Sequence, residues 1–274
     1  MVAFVDFRKA FDSVSHEILV KKLGNSFGIT GTLLDWIKDY LSGRRQFTVV
    51  NGVESDILPV TTGIPQGSVL GPTLFTLFTN DLPTAISEGD LYMYADDTSI
   101  YFIGENADVA VAALIIALQG VQRWCIYNRF SPHPTKSETM ILSRHTILGP
   151  LPSVLLGSSV LSYVTKSRLL SMCVDDKLYW IPHMLELKKN FSNKLDLLKR
   201  SRFLPRNVLL KSYASVSVKY GIVLWGSCTN SDLVNSVNSL HCRAVRLIFN
   251  LPRDLPSTDR RFNFCSVAEY VITL

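Results

Sequence analysis

The sequence predicts an α+β protein in which strands, hairpins and helices mix over residues 1–182 and an all-helical segment occupies 183–274. Three observations predict it. The chain opens on an apolar run at residues 2–6, too short for a helix and bounded by Asp6, which reads as a buried strand. Two further short apolar runs, 91–95 and 99–103, flank Asp96-Asp97-Thr98 and read as a hairpin whose turn holds two carboxylates. From about residue 183 the composition shifts toward Leu, Lys, Ser and Arg, with apolar residues at helical spacing over 184–203, 208–224 and 233–249.

Between these landmarks each element has its own warrant. Residues 15–23 set Ile18, Leu19 and Leu23 against His16, Glu17 and Lys21, which predicts an amphipathic helix. Leu33, Leu34, Ile37 and Leu41 make the apolar face of a second helix over 31–41, ending near Ser42-Gly43. Phe47, Val49 and Val50 precede Asn51-Gly52, the turn pair of a hairpin over 46–59. Residues 62–72 are a loop punctuated by Gly and Pro, leading into a helix that carries Leu74, Phe75, Leu77 and Phe78. A long amphipathic helix is expected over 107–127 and a strand over 138–142. The most apolar stretch, 109–118, is well short of the roughly 20 residues that cross a bilayer, and reads as part of a packed helix.

The bulk numbers are permissive. With 274 residues, 47% of them hydrophobic, the chain buries one large core or two modest ones. A formal charge of +5 and a pI near 8.9 admit a polyanionic partner without requiring one. Cys125, Cys173, Cys228, Cys242 and Cys265 form no CxxC pair and have no His at ligand spacing, so neither a zinc site nor a disulfide framework is indicated, and a reducing compartment fits. The N-terminus lacks the features of a signal peptide and reads as opening inside a fold. No membrane attachment is expected, and no residue points to a protein partner.

Chemistry enters with the carboxylates. Asp6 ends the first strand and Asp96-Asp97 sit at a hairpin turn. Hard divalent cations prefer carboxylate oxygen, and adjacent carboxylates repel unless a cation relieves them. Any one of these residues alone reads more readily as a solvated turn or a helix cap than as a metal ligand. Their surroundings are more specific: Phe4-Val5-Asp6 through Phe11-Asp12, then Gly63-Ile64-Pro65-Gln66-Gly67-Ser68, then Tyr94-Ala95-Asp96-Asp97, in that order.

The stretches FVDFRKAFDSVSHEIL, TTGIPQGSVLGPTLFTLFTNDL and YMYADDTSIY resemble the three consecutive palm motifs of reverse transcriptases of non-LTR, LINE-like retrotransposons. The resemblance implies a polymerase palm, an antiparallel sheet backed by helices in a ferredoxin-like arrangement, with the fingers mostly missing upstream, and then a helical thumb with a C-terminal extension. It implies an RNA-directed DNA polymerase adding deoxynucleotides to a primer 3′-hydroxyl by two-metal phosphoryl transfer. Asp6, Asp96 and Asp97 would hold Mg2+, with Mn2+ as a substitute, Asp97 less directly than the others. Phe11 would be the steric gate against a 2′-hydroxyl, and Gln66 and Gly67 would line the nucleotide pocket. Lys136, in VQRWCIYNRFSPHPTKSETMIL, holds the position of a lysine that attends the departing pyrophosphate, although Pro132 and His133 stand where the family has Leu and Asn.

SRLLSMCVDDKLYWIPHM resembles the primer grip and its link to the thumb, with Ser171 where a glycine is expected and Asp175-Asp176 read as structural or surface residues. Lys194, Lys199, Arg200 and Arg202 fall in the thumb-like stretch, where they would meet phosphates of an RNA template and DNA primer; a solvated helix face accounts for them equally. The family also implies deoxynucleoside triphosphates as substrates and a nuclear location. An alternative stays open: a catalytically inactive, truncated remnant that at most binds nucleic acid.

Overall fold

The computed structural model describes residues 1–133, 135–147, 149–214 and 220–252, with the side chains of Ser212 and Ala214 excepted. The chain divides into two compact units, Met1–Val164 and Thr165–Leu274.

The first unit runs β1 (Val2–Val5), α1 (His16–Asn25), α2 (Gly31–Leu41), β2 (Arg45–Gln46), β3 (Val49–Val50), β4 (Val53–Glu54), β5 (Leu58–Pro59), α3 (Gly71–Thr79), β6 (Asp90–Tyr94), β7 (Asp97–Tyr101), α4 (Ala107–Asn128), β8 (Glu138–Met140), β9 (Leu155–Leu156), β10 (Ser159–Val160) and β11 (Ser162–Tyr163). Helices and sheet alternate in an α+β chain. Its main sheet has the order β11-β8-β1-β7-β6. Every pairing is antiparallel except β11 with β8, which is parallel. That pair departs from a wholly antiparallel sheet because no tight turn joins it: the chain makes the small β9–β10 ribbon first and so returns in the same direction.

The register decides which side chains share a face. Ala3 pairs Ile100 and Val5 pairs Thr98, and Met1, Ala3, Val5, Phe7 and Ile100 join the core with Leu114, Leu118 and Val121 of α4. Side chains alternate along a strand, so Phe4, paired with Ser99, faces the other way. Extending the register by one residue sets Asp6 opposite Asp97 on that second face.

α4 is capped by the Asn106 Oδ1, which accepts from the Val109 N–H at 2.9 Å, and ends at Arg129 with φ +54°. At 22 residues it is longer than its most apolar stretch, and by length and composition alone it is apolar enough to cross a bilayer. Here that apolarity is core packing, with Leu114, Leu118, Val121 and Trp124 buried. A charged side chain lies against the same core. Lys22 Nζ, its side chain 13% exposed, lies 2.6 Å from Asp81 Oδ1, donates to the Phe78 carbonyl at 2.7 Å, and sits over the Phe78 and Trp124 rings. The Trp124 indole N–H donates to the same Asp81 oxygen at 2.8 Å.

The second unit begins with a hairpin of β12 (Lys166–Leu169) and β13 (Met172–Asp175), followed by α5 (Ile181–Arg200), α6 (Arg206–Ala214), α7 (Ile222–Trp225) and α8 (Ser231–Phe249). The helix expected over 208–224 is thus two helices, and residues 215–219 between them, like Cys265, lie outside the described residues. Leu170 and Ser171 turn the β12–β13 hairpin with φ of +47° and +67°. A two-residue turn with both φ positive matches strand twist but suits Gly or Asn, which is the physical content of a glycine expectation at Ser171. Asp175 is structural: its two oxygens accept the backbone N–H groups of Tyr179 at 2.9 Å and Trp180 at 2.7 Å, holding the left-handed Trp180 at the start of α5. α5 and α8 bury apolar stripes, Phe191, Leu195 and Leu198 on one, Val237, Ala244 and Ile248 on the other.

Candidate active site

Asp6 is fixed through its backbone. Its N–H donates to Ser137 Oγ at 3.2 Å, its carbonyl accepts from the His133 N–H at 2.7 Å, and Phe7 bridges Pro132. The side chain remains 37% exposed, on the face of the sheet opposite Ala3 and Val5. Across from it, β6 and β7 are joined by a two-residue turn of Ala95 and Asp96, with Ala95 at φ +54°. The turn therefore lies earlier than Asp96-Asp97-Thr98: Asp97 is already the first residue of β7, paired with Tyr94, and Thr98 is buried. The positive φ at Ala95 allows so tight a reversal, at a conformational cost of about 1–3 kcal/mol of the kind that clusters at functional sites.

The three carboxylates share one electrostatic neighbourhood. The Asp97 carboxyl is pushed above the usual carboxylate range, first by burial, then by the negative charge of Asp96, then by that of Asp6. Lys136 Nζ lies 3.7 Å from Asp6 Oδ2. Both partners are well exposed, so that ion pair contributes little stability, about 0–1 kcal/mol.

A second segment is docked beside β1. Phe11–Ser13 form a single 3-10 turn, and the 62–68 loop clamps onto it: the Ile64 N–H donates to the Phe11 carbonyl, the Gly63 N–H to the Val14 carbonyl, both at 2.8 Å, and His16 Nε2 meets the Gly63 carbonyl at 2.7 Å. Gly63 has φ +91°, and a Cβ there would lie 2.9 Å from Asp12 Cα. This position needs glycine on both counts. The clamp sets Gln66, whose Nε2 donates to Asp12 Oδ1 at 3.0 Å, and exposed Gly67, φ +78°. Phe11 is half-buried and stacks on Phe75 with ring centroids 4.3 Å apart.

The first unit thus brings together Asp6, Asp96, Asp97 and Lys136, and joins Phe11 to Gln66 and Gly67 through the clamp. Lys194, Lys199, Arg200 and Arg202 are exposed in the second unit, on α5 and the turn after it; Lys199 lies 2.6 Å from Asp196. Ser137, Asp12 and His16 are positioning residues that sequence reasoning did not single out. Asp12 and His16 lie inside the first motif, whereas Ser137 is marked by nothing but its place after Lys136.

Among the described residues no three His, Cys, Asp or Glu side chains are gathered as a ready-made metal cage. Magnesium sites of phosphoryl-transfer enzymes seldom are cages, since one or two carboxylates hold the ion together with substrate phosphates and water. The donor set fits a hard divalent cation: carboxylate oxygens only, partly open, with a mutual repulsion that such an ion relieves.

Residues 1–194 match the family described as reverse transcriptase (RNA-dependent DNA polymerase). The RNA-directed DNA polymerase from mobile element jockey of Drosophila melanogaster is 29% identical over 91% of this chain and 28% of its own length. The probable RNA-directed DNA polymerase from transposon BS, also of Drosophila melanogaster, is 27% identical over 98% of this chain and 31% of its own. A retrovirus-related Pol polyprotein from type-1 retrotransposable element R1 of Bradysia coprophila is 27% identical over 93% of this chain and 28% of its own. The chain spans less than a third of the length of these curated relatives. With a family match that covers all of the first unit, the chain belongs to the reverse transcriptase family, among relatives from non-LTR retrotransposons.

Proposed function

We propose that this chain is the palm and thumb of an RNA-directed DNA polymerase, extending a DNA primer by deoxynucleotides against an RNA template. The observation that carries it is the placement of Asp6 across from Asp97 on neighbouring strands with Asp96 in the adjoining turn, near enough that the charges of Asp96 and Asp6 add to burial in raising the Asp97 carboxyl. The palm assignment is supported by topology: β1, β6, β7 and β8 take the order β8-β1-β7-β6, all antiparallel, with helices between β1 and β6 and between β7 and β8. That is the split βαβ pattern of ferredoxin-like sheets.

Bound divalent cations, Mg2+ or Mn2+, would neutralise charge on the attacking and leaving oxygens. The protein's own part is positioning. Asp6 and Asp97, on neighbouring strands, would share a bound cation, and Asp96 adds a carboxylate from the turn. Lys136, now against Asp6, supplies positive charge and a proton donor for the leaving pyrophosphate. Phe11, braced on Phe75, presents a ring that leaves no room for a 2′-hydroxyl. Gln66, oriented by Asp12, offers an amide that donates and accepts toward the nucleotide. Lys194, Lys199, Arg200 and Arg202 contact phosphates of the template and primer.

The test is single-nucleotide incorporation on an RNA template with a DNA primer, comparing wild type with Asp6→Asn and Phe11→Val. The reading expects dNTP addition by wild type, loss of at least about a hundredfold in Asp6→Asn, the scale on which removing one electrostatic group slows a reaction, and new acceptance of ribonucleotides by Phe11→Val. A folded wild type that incorporates nothing with either cation would instead identify an inactive remnant.

A further inference from the structure

The second unit contains a cleft of about 1140 Å³ between the end of α5, the following turn, α6 and the C-terminal half of α8. It exceeds the roughly 300–1,000 Å³ of small-molecule pockets. Among the described residues its lining carries five cations, Lys199, Arg202, Arg206, Arg243 and Arg246, and no carboxylate. That equals the formal net charge of the whole chain, +5. Beside it Asp196 lies 2.6 Å from Lys199, and its carboxyl is held low by Lys199 first, with weaker pulls from Arg243 and Arg200. Arg243 and Arg246 belong to α8, beyond the segment that the family match covers.

Two further features narrow the ligand. The floor is apolar, including Leu195, Leu209 and Ile248. At the cleft stands Phe203, 81% exposed, an aromatic ring for which the described core has no use. A duplex presents phosphates and groove edges and keeps its base faces stacked inside, so it cannot use an apolar floor or a free ring. A single strand can, since its unpaired bases stack on aromatic side chains while its phosphates follow the cations.

We propose that this cleft is a binding site for single-stranded RNA, gripping about five phosphates on the cationic rim and stacking a base on Phe203. The choice of RNA rests on the polymerase reading, in which the template is the single strand the reaction handles; the cleft's preference for a single strand does not.

The experiment is fluorescence-anisotropy binding of a 12-nucleotide unstructured RNA to the full chain carrying Asp97→Asn, in EDTA, across a salt series, beside the same RNA in a duplex and the matching single-stranded DNA. Without turnover or metal, the outcome is independent of whether the chain polymerises, which incorporation by the unmutated chain reports separately. The expected results are tighter binding of the single strand than of the duplex and a log–log salt slope of about −3.5, from roughly 0.7 per phosphate. Arg202→Gln with Arg243→Gln should flatten the slope to about −2.1. Phe203→Ala should weaken binding by about 5- to 150-fold, the range of one lost stacking contact, with Phe203→Trp restoring it. Lys166→Gln, an exposed cation of the same unit outside the cleft, is the control and should change the slope by no more than a solvated lysine does. Duplex bound as tightly as the single strand, or Phe203→Ala and the double Arg variant behaving like the control while keeping the wild-type melting profile, would overturn the proposal. Equal affinity for DNA and RNA single strands would overturn its assignment to RNA.

Discussion

The buried Lys22–Asp81–Trp124 network makes an asymmetric prediction about stability. Asp81→Ala removes the carboxylate that meets both the Lys22 ammonium at 2.6 Å and the Trp124 indole N–H at 2.8 Å. The indole, on a residue only 5% exposed, is left without an acceptor, at about 1–3 kcal/mol. The ammonium keeps the Phe78 carbonyl and two ring faces, and the Asp81 side chain is 49% exposed, so the usual cost of about 3–5 kcal/mol for breaking a buried pair is discounted to about 1–2 kcal/mol. Together they give about 3 kcal/mol, or a fall of roughly 6–12 °C in Tm. Lys22→Met, which keeps the stem and leaves a half-exposed carboxylate still accepting from Trp124, should cost no more than about 1 kcal/mol.

The pH dependence has a definite sign. Burial lowers the Lys22 pKa below 10.5, and Asp81 opposes that, so losing Asp81 lowers it further. Between the lowered folded value and the unfolded 10.5 the unfolded chain binds more protons, and stability therefore rises with pH. The deficit of Asp81→Ala should shrink as pH approaches 10.5 and be largest well below the folded pKa. Differential scanning calorimetry of the three proteins across neutral to alkaline pH checks this. A Lys22→Met deficit as large as that of Asp81→Ala, or an Asp81→Ala deficit that grows with pH, would refute the reasoning.

Three other variants follow from local geometry. Ser171→Gly relieves a left-handed residue and should raise stability by about 0.5–1 kcal/mol after the entropy cost of glycine, measured as a higher midpoint in urea. Gly63→Ala forces a Cβ to 2.9 Å from the Asp12 backbone at φ +91°, and should cost about 2–4 kcal/mol and slow nucleotide incorporation beyond what the lost folded fraction explains. Asp97→Asn removes a like charge facing Asp6 and should stabilise the protein in EDTA by about 0.2–1 kcal/mol, seen as a small rise in Tm.

Much of the site was legible because its residues sit at strand ends within specific words. Asp6 at the close of an apolar run and the Asp pair between two short apolar runs are found where strands stop, and α1, α2, α4 and α8 follow their apolar spacing to within a few residues. Asn51-Gly52 does turn a hairpin, with φ of +52° and +81°. The turn at Ala95-Asp96 was not legible, since alanine carries no sign of a left-handed backbone. Nor were β9, β10 and β11, strands of two residues with no periodicity to read, or the β12–β13 hairpin, whose turn residues Leu170 and Ser171 are poor turn formers. Ser137 was invisible for another reason: it acts through hydrogen bonds to the backbone of a residue 131 positions away, which only the fold brings near.

The most direct test of the central claim, that Asp6 and Asp97 jointly hold a divalent cation, is a Mn2+ titration followed by electron paramagnetic resonance on wild type, Asp6→Asn and Asp97→Asn. The account predicts saturable loss of the free Mn2+ signal with wild type, weakened in both variants. Superimposable isotherms for all three folded proteins would contradict it.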